Sequence, residues 1–313
     1  MKIYANMHTH TTHSDGMYTP EELVDAARRE GYGAIVATDH DTVTANPEIK
    51  RCCDKYGMET LFGCEFTAFS SEHNEEFHLT AFDFDKDYRE MKDYLWKCAE
   101  TITNNTKTLF ERGIAEGLIP DAISWKDVER DNEGVIWFCN NHVFQSYKKR
   151  GILNDLDYMN FFYTVYGPRR KEVPNLHAKL PIEELVPLIV RSGGIVFVAH
   201  PGHGKEKHHI HDVPSLLKYG ITGIEVWHSN HDAEKIAATL KLAKKHNLYV
   251  SGGSDHSGLC GGMYSKYEDY TKSHHYIEPL STGTTKEFFE EIKNRKLSQD
   301  RNDIIDEYLK EYV

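Results

Sequence analysis

Seven short apolar runs in this chain end on, or carry, a histidine or a carboxylate. That recurrence narrows the open folds more than any other feature. Ile3–Met7 runs into His8-Thr9-His10, Ala34–Thr38 into Asp39-His40-Asp41, and Thr60–Cys64 into Glu65. Phe77–Phe84 carries His78, and Ile195–Ala199 leads to His200-Pro201-Gly202. Gly223–Trp227 precedes His228 and His231, and Leu248–Ser251 precedes Gly252-Gly253-Ser254-Asp255-His256. Short apolar runs bounded by turn residues read as buried strands. Strands that alternate with helices predict a parallel sheet or barrel. In barrels of this type the C-terminal strand ends are where active sites are built.

The helices between these runs are legible from their ends. Thr19-Pro20-Glu21-Glu22 is a capping box with proline at the first helical position, and Gly31 stops that helix. Further helices are expected over Pro47–Tyr56, Tyr88–Arg112, Pro181–Ser192 and Ala233–His246, with a charged helical tail from Thr284. Between 113 and 175 the rhythm breaks. Helices are expected there near Asn141–Lys149 and Asp155–Tyr166, followed by a basic turn, Pro168-Arg169-Arg170-Lys171. This predicts a barrel over 1–112 and 176–313 and a helical insertion, 113–175, covering its mouth.

The candidate metal ligands are His8, His10, Asp15, His40, Glu65, His78, His200, Asp255 and His256. His8 and His10, one residue apart in an extended segment, point to the same side. Imidazole with carboxylate suits manganese, iron or zinc. The set is too large for one tetrahedral zinc and of the right size for two or three divalent ions sharing a carboxylate. No Cys-x-x-Cys pair, phosphate-binding glycine loop or nucleophile elbow is present. The six cysteines are expected as reduced thiols.

Of the 313 residues, 19 are histidine and the net charge is −12. That charge disfavours a general grip on a long nucleic acid. It permits a small phosphorylated substrate held by metal ions, because the ions bring positive charge themselves. No signal segment or membrane span is visible, which predicts a cytoplasmic protein without a membrane partner. His13 is expected at the site rim, Asp39 and Asp41 as residues that orient neighbours, and His208, His209 and His211 on a solvated loop. Trp137, Phe138, Phe161, Phe162 and Tyr163 are expected as core of the insertion.

Five blocks together resemble the PHP (polymerase and histidinol phosphatase) superfamily. They are His8-Thr9-His10 with Ser14-Asp15-Gly16, Thr38-Asp39-His40-Asp41, Gly63-Cys64-Glu65, Ala199-His200-Pro201-Gly202 and Gly253-Ser254-Asp255. They follow the family order across nearly the whole chain. The resemblance implies a distorted (β/α)7 barrel, a trinuclear metal centre and phosphoesterase chemistry by a metal-bound hydroxide, with Glu65, His200 and Asp255 at the reacting centre. It also implies Glu65 as a bridge. His8, His10, Glu65 and Asp255 would share one ion, Glu65, His78 and His200 a second, and Asp15, His40 and a C-terminal histidine a third.

Asn141-His142-Val143, Val173-Pro174, Pro181-Ile182-Glu183-Glu184 and Gly223-Ile224-Glu225-Val226 with His231 are similar to the branch acting on nucleoside 3′,5′-bisphosphates and short oligonucleotides. That likeness implies His142, Arg169, His203, Lys205 and His231 as substrate contacts. Three positions depart from the branch. The last histidine stands one place early, at His256, and Asn140 and His203 stand where the branch has arginines, the favoured phosphate clamps. The expected activity is hydrolysis of a phosphate monoester on a small nucleotide-like molecule. Histidinol-phosphate phosphatase and a non-catalytic metal-binding regulatory module are the competing readings.

Overall fold

The structure, a computed structural model, describes residues 1–153, 161–162, 178–202, 208–256 and 282–312. Strand β1 (Ala5–Thr9) runs parallel to β2 (Ala34–Ala37). Five strands form a second sheet in chain order: β3 (Gly63–Ser70), β4 (Glu75–Phe82), β5 (Ile195–Val198), β6 (Gly223–His228) and β7 (Tyr249–Gly253). Backbone hydrogen bonds link the two sheets at both edges. Asp41 N–H donates to Glu65 O at 2.8 Å and Glu65 N–H to Thr38 O at 3.2 Å. On the other side Asp255 N–H donates to His8 O and His10 N–H to His256 O, both at 2.9 Å. There β7 meets β1 so closely that a Cβ on Gly253 would lie 2.3 Å from His8 Cβ.

The sheet is mixed, not wholly parallel as expected. β4 runs antiparallel to both β3 and β5. The reason is chain length: residues 71–74 join β3 to β4 directly, whereas a parallel pair needs a crossover of about a dozen residues. The third strand also lies later than the expected Thr60–Cys64, so that Glu65 sits inside it, paired with Thr80. Cys64, Phe66 and Ala68 are all buried, and this alternation carries the strand onward past the charged residue.

Helices α1 (Pro20–Arg29) and α2 (Asn46–Tyr56) cover β1 and β2, and α1 starts with the expected Thr19/Glu22 capping box. The long helix α3 (Arg89–Ala115) buries Met91, Tyr94, Leu95 and Cys98 against the five-stranded sheet. Its far end joins α4 (Trp125–Asp131) and α5 (Asn140–Lys148) around a separate apolar cluster that includes Phe110, Trp125, Phe138, Phe144, Tyr147 and Phe161. Trp137 packs nearby with Ala99 and Ile102. The expected helix over Asp155–Tyr166 and the basic turn lie almost wholly outside the described residues.

Next come α6 (Ile182–Arg191), α7 (His208–Leu216) and α8 (Ala233–His246). The expected solvated loop at 208–211 is therefore the start of a helix, because Ile210, Val213 and Leu216 bury one face at helical spacing. The tail forms α9 (Lys286–Asn294) and α10 (Arg301–Tyr312). Cys52, Cys53, Cys64, Cys98 and Cys139 are buried free thiols. Among the described residues no helix is long and apolar enough to cross a membrane.

Candidate metal centre

Glu65 is the pivot. Its position within β3 turns its carboxylate into a fully buried space ringed by the ends of β1, β2, β5 and β7 and the middle of β4. Five imidazoles surround it. Oε2 faces His8 Nε2 at 3.1 Å, His10 Nε2 at 3.3 Å and His40 Nδ1 at 3.1 Å. Oε1 faces His78 Nδ1 and His200 Nε2, each at 3.0 Å. Asp255 Oδ1 lies 2.9 Å from His10 Nε2 and 3.5 Å from His8 Nε2. Asp15 stands at the other side, 3.7 Å from His10 Nδ1 and 3.8 Å from His40 Nε2.

Three groups of donor atoms converge closely enough to hold an ion: His8, His10, Glu65 and Asp255; His40, Glu65 and His78; and His10, Asp15 and His40. Buried His8 Nε2, His10 Nδ1 and Glu65 Oε2 make no hydrogen bond. Unsatisfied buried polar atoms are costly, and convergent ones are what a cation relieves. The donor set of imidazoles and carboxylates therefore fits divalent ions such as manganese, iron or zinc.

The carboxylates and imidazoles of the cluster shift one another's titration. Burial alone depresses an imidazole pKa, but for His8 the carboxylates of Glu65, Glu225 and Asp255 outweigh it and raise the pKa well above the ordinary value. His10 follows suit through Asp255 and Glu65. His40 and His200 remain depressed by burial. Burial pushes Glu65 and Asp255 upward, yet the surrounding imidazoles hold both carboxylates well below their usual range.

Not every expected residue joins this cluster. The ring of His256 stacks on Tyr18, with centroids 5.6 Å apart, and it is absent from all three groups; His10 takes its place beside Asp15 and His40. His142 is 2% exposed and both ring nitrogens are engaged: Nε2–H donates to Thr12 O at 3.0 Å and Nδ1 accepts from Cys139 N–H at 2.9 Å. Both partners are internal to the protein. His231 donates Nδ1–H to Val226 O at 2.7 Å, while its buried Nε2 makes no hydrogen bond. Arg169, His203 and Lys205 lie outside the described residues. His13 bonds Thr44 Oγ1 at 2.8 Å and is in none of the three groups.

Two residues of β6 belong to the centre although the sequence reading left them out of the metal set. Glu225 accepts from His8 Nδ1–H at 3.1 Å and from His200 N–H at 2.7 Å. A carboxylate on the far ring nitrogen fixes the tautomer and aims Nε2 inward. His228 Nε2 lies 3.5 Å from Asp255 Oδ2, and its Nδ1 accepts Asn230 N–H at 3.2 Å. Their sequence trace is faint: a charged residue in an otherwise apolar strand, and a histidine at that strand's end.

A buried carboxylate ringed by histidines at the ends of the strands defines a candidate metal centre in an α/β protein. Residues 6–141 match the family model of the PHP domain. It is similar to phosphoribosyl 1,2-cyclic phosphate 1,2-diphosphodiesterase of Eggerthella lenta, 22% identical over 82% of this chain and 95% of the relative. It is also similar to the 5′-3′ exoribonuclease Rnm of Salmonella typhimurium, 26% identical over 82% of this chain and 86% of the relative. The 3′,5′-nucleoside bisphosphate phosphatase of Chromobacterium violaceum is 25% identical over 80% of this chain and 86% of its own. Among solved structures, a Bifidobacterium adolescentis protein assigned as a metal-dependent phosphoesterase superposes with a TM-score of 0.75 at 24% identity, over 96% of this chain and 98% of that one; this likeness concerns the fold.

Proposed function

We propose that this protein is a metal-dependent phosphoesterase whose centre is organised by Glu65. The observation that carries the reading is the buried Glu65 carboxylate with imidazole nitrogens of His8, His10, His40, His78 and His200 all 3.0–3.3 Å away. His8, His10, Glu65 and Asp255 would hold one ion, Glu65, His78 and His200 a second, and Asp15 with His40 a third. Bound divalent ions supply Lewis acidity toward phosphoryl oxygens and lower the pKa of water. Glu225 orients His8 through its Nδ1–H. His231 Nε2, buried and without a hydrogen bond, carries the ring's lone pair and is an acceptor for a substrate hydroxyl. We read the two sheets as one distorted seven-stranded barrel, a reading supported by the hydrogen bonds at both sheet edges. The 113–175 segment is read as its helical insertion.

The favoured substrate is a phosphate monoester on a small nucleotide-like molecule, of the 3′,5′-bisphosphate type. The −12 net charge and the likeness to a bisphosphate phosphatase support it. The likeness to a 5′-3′ exoribonuclease favours a second reading, attack at the 5′ end of a short RNA. A substrate panel with manganese separates them: 3′,5′-bisphosphates, simple 5′-monophosphates, histidinol phosphate, a cyclic phosphate and a 5′-phosphorylated short RNA. Preferred turnover of the bisphosphate supports the first reading. Equal turnover of bisphosphate and monophosphate removes the argument for a second phosphate, and preferred RNA shortening establishes the second reading.

A further inference from the structure

Asp15 sits on a turn that is gripped from two sides. On the sheet side Asp39 accepts from Thr11 N–H at 2.7 Å, Thr11 Oγ1 at 2.8 Å and Ser14 Oγ at 2.6 Å. On the other side the grip comes from the start of α5, more than a hundred residues away in sequence. Asn141 Nδ2 donates to Asp15 O at 3.1 Å and to Gly16 O at 3.2 Å. His142 Nε2–H donates to Thr12 O at 3.0 Å. The Nδ1 of His142 accepts Cys139 N–H at 2.9 Å, so the neutral ring carries its proton on Nε2, where Thr12 needs it. Asn141 and His142 are 1% and 2% exposed. The turn packs closely on β1's end, where a Cβ on Gly16 would lie 2.4 Å from His10 O.

We infer that Asn141 and His142 are positioning residues for Asp15, so that the His10–Asp15–His40 group is assembled only when α5 is docked on the turn. The inference rests on the metal reading above. It assigns His142 a different role from contact with substrate. The carboxylate of Asp15 reaches His10 and His40 at 3.7 and 3.8 Å, and its own backbone carbonyl is one of the atoms Asn141 holds. A shift of the turn therefore moves the carboxylate out of this group and leaves the Glu65 and Asp255 contacts unchanged.

The test is manganese titration of chelator-stripped protein, with metal content measured after desalting. The set comprises wild type, Asn141→Ala, His142→Phe and His142→Gln, and the folded state of each is checked by thermal melting. Asn141→Ala and His142→Phe are expected to lose about tenfold or more in affinity at one class of site and to keep the remainder. His142→Gln is expected to retain it, because the glutamine amide donates from the place of Nε2. At saturating manganese the KM for substrate stays near that of wild type, whereas a substrate contact would raise it. The inference is overturned if folded Asn141→Ala binds as wild type does, if affinity falls equally at every site, or if His142→Gln behaves like His142→Phe. Should His142→Phe fail to fold, Asn141→Ala carries the test alone. A wild type that takes up no divalent ion sinks the metal reading itself; one that does, with unaltered variants, sinks only this inference.

Discussion

Replacing Glu225 by alanine tests how far the centre depends on a residue outside the three donor groups. Its carboxylate accepts from His8 Nδ1–H at 3.1 Å and from His200 N–H at 2.7 Å, and it is 1% exposed. Glu225→Ala leaves two buried donors without an acceptor, at about 1–3 kcal/mol each. Some of that is offset, because a buried carboxylate and its desolvation cost are also removed. The expected net loss in the metal-free protein is about 2–4 kcal/mol. His8 also loses the group that fixes its tautomer, and such changes lower metal affinity by about 10–100-fold. Glu225→Gln keeps one acceptor oxygen and should fall between the two. Urea unfolding of the metal-free proteins gives the first quantity and manganese titration the second. If Glu225→Ala unfolds within about 0.5 kcal/mol of wild type and binds manganese equally well, the orienting argument is wrong.

Three further outcomes are expected. Glu65→Gln should lower metal content and abolish turnover, while His13→Gln should change neither; metal analysis and a phosphatase assay on the same samples decide it. Burial holds His142 down at about 4, against about 6.5 in an unfolded chain, so the native ring is neutral while the unfolded ring takes up a proton between those values. The His142 contribution is thus fully present above about pH 6.5 and is lost as pH falls toward 4, by about 3 kcal/mol in all. His142→Gln, which does not titrate, should show a flatter acid limb by that amount when unfolding is measured across the window. Gly253→Ala should destabilise by about 1–3 kcal/mol in thermal or urea melts, because the added methyl would lie 2.3 Å from His8 Cβ.

Much of the centre was legible because strand ends and histidines coincide in the sequence. His8, His10, Asp15, His40, Glu65, His78, His200 and Asp255 are the residues that the structure brings within reach of one another. What escaped has physical reasons. The antiparallel β3–β4 hairpin hid because Glu65 and His78 interrupt two otherwise apolar runs, and a charged residue was read as a strand's end. Glu225 hid for a related reason: a carboxylate that receives hydrogen bonds from His8 and His200 need not lie near either in sequence. His142 was visible as a polar residue of interest, but a histidine facing substrate and one holding a backbone carbonyl look alike until both nitrogens are traced. His256 lies in the expected segment, and its ring stacks on Tyr18.

The central claim is that Glu65 gathers divalent ions, and anomalous scattering from crystals grown with manganese tests it most directly. The account predicts anomalous peaks within bonding distance of the Glu65 carboxylate, about 2.0–2.2 Å, with one also bonded to His8, His10 and Asp255. Fully ordered His8, His10 and Glu65 side chains with no anomalous peak between them would contradict it.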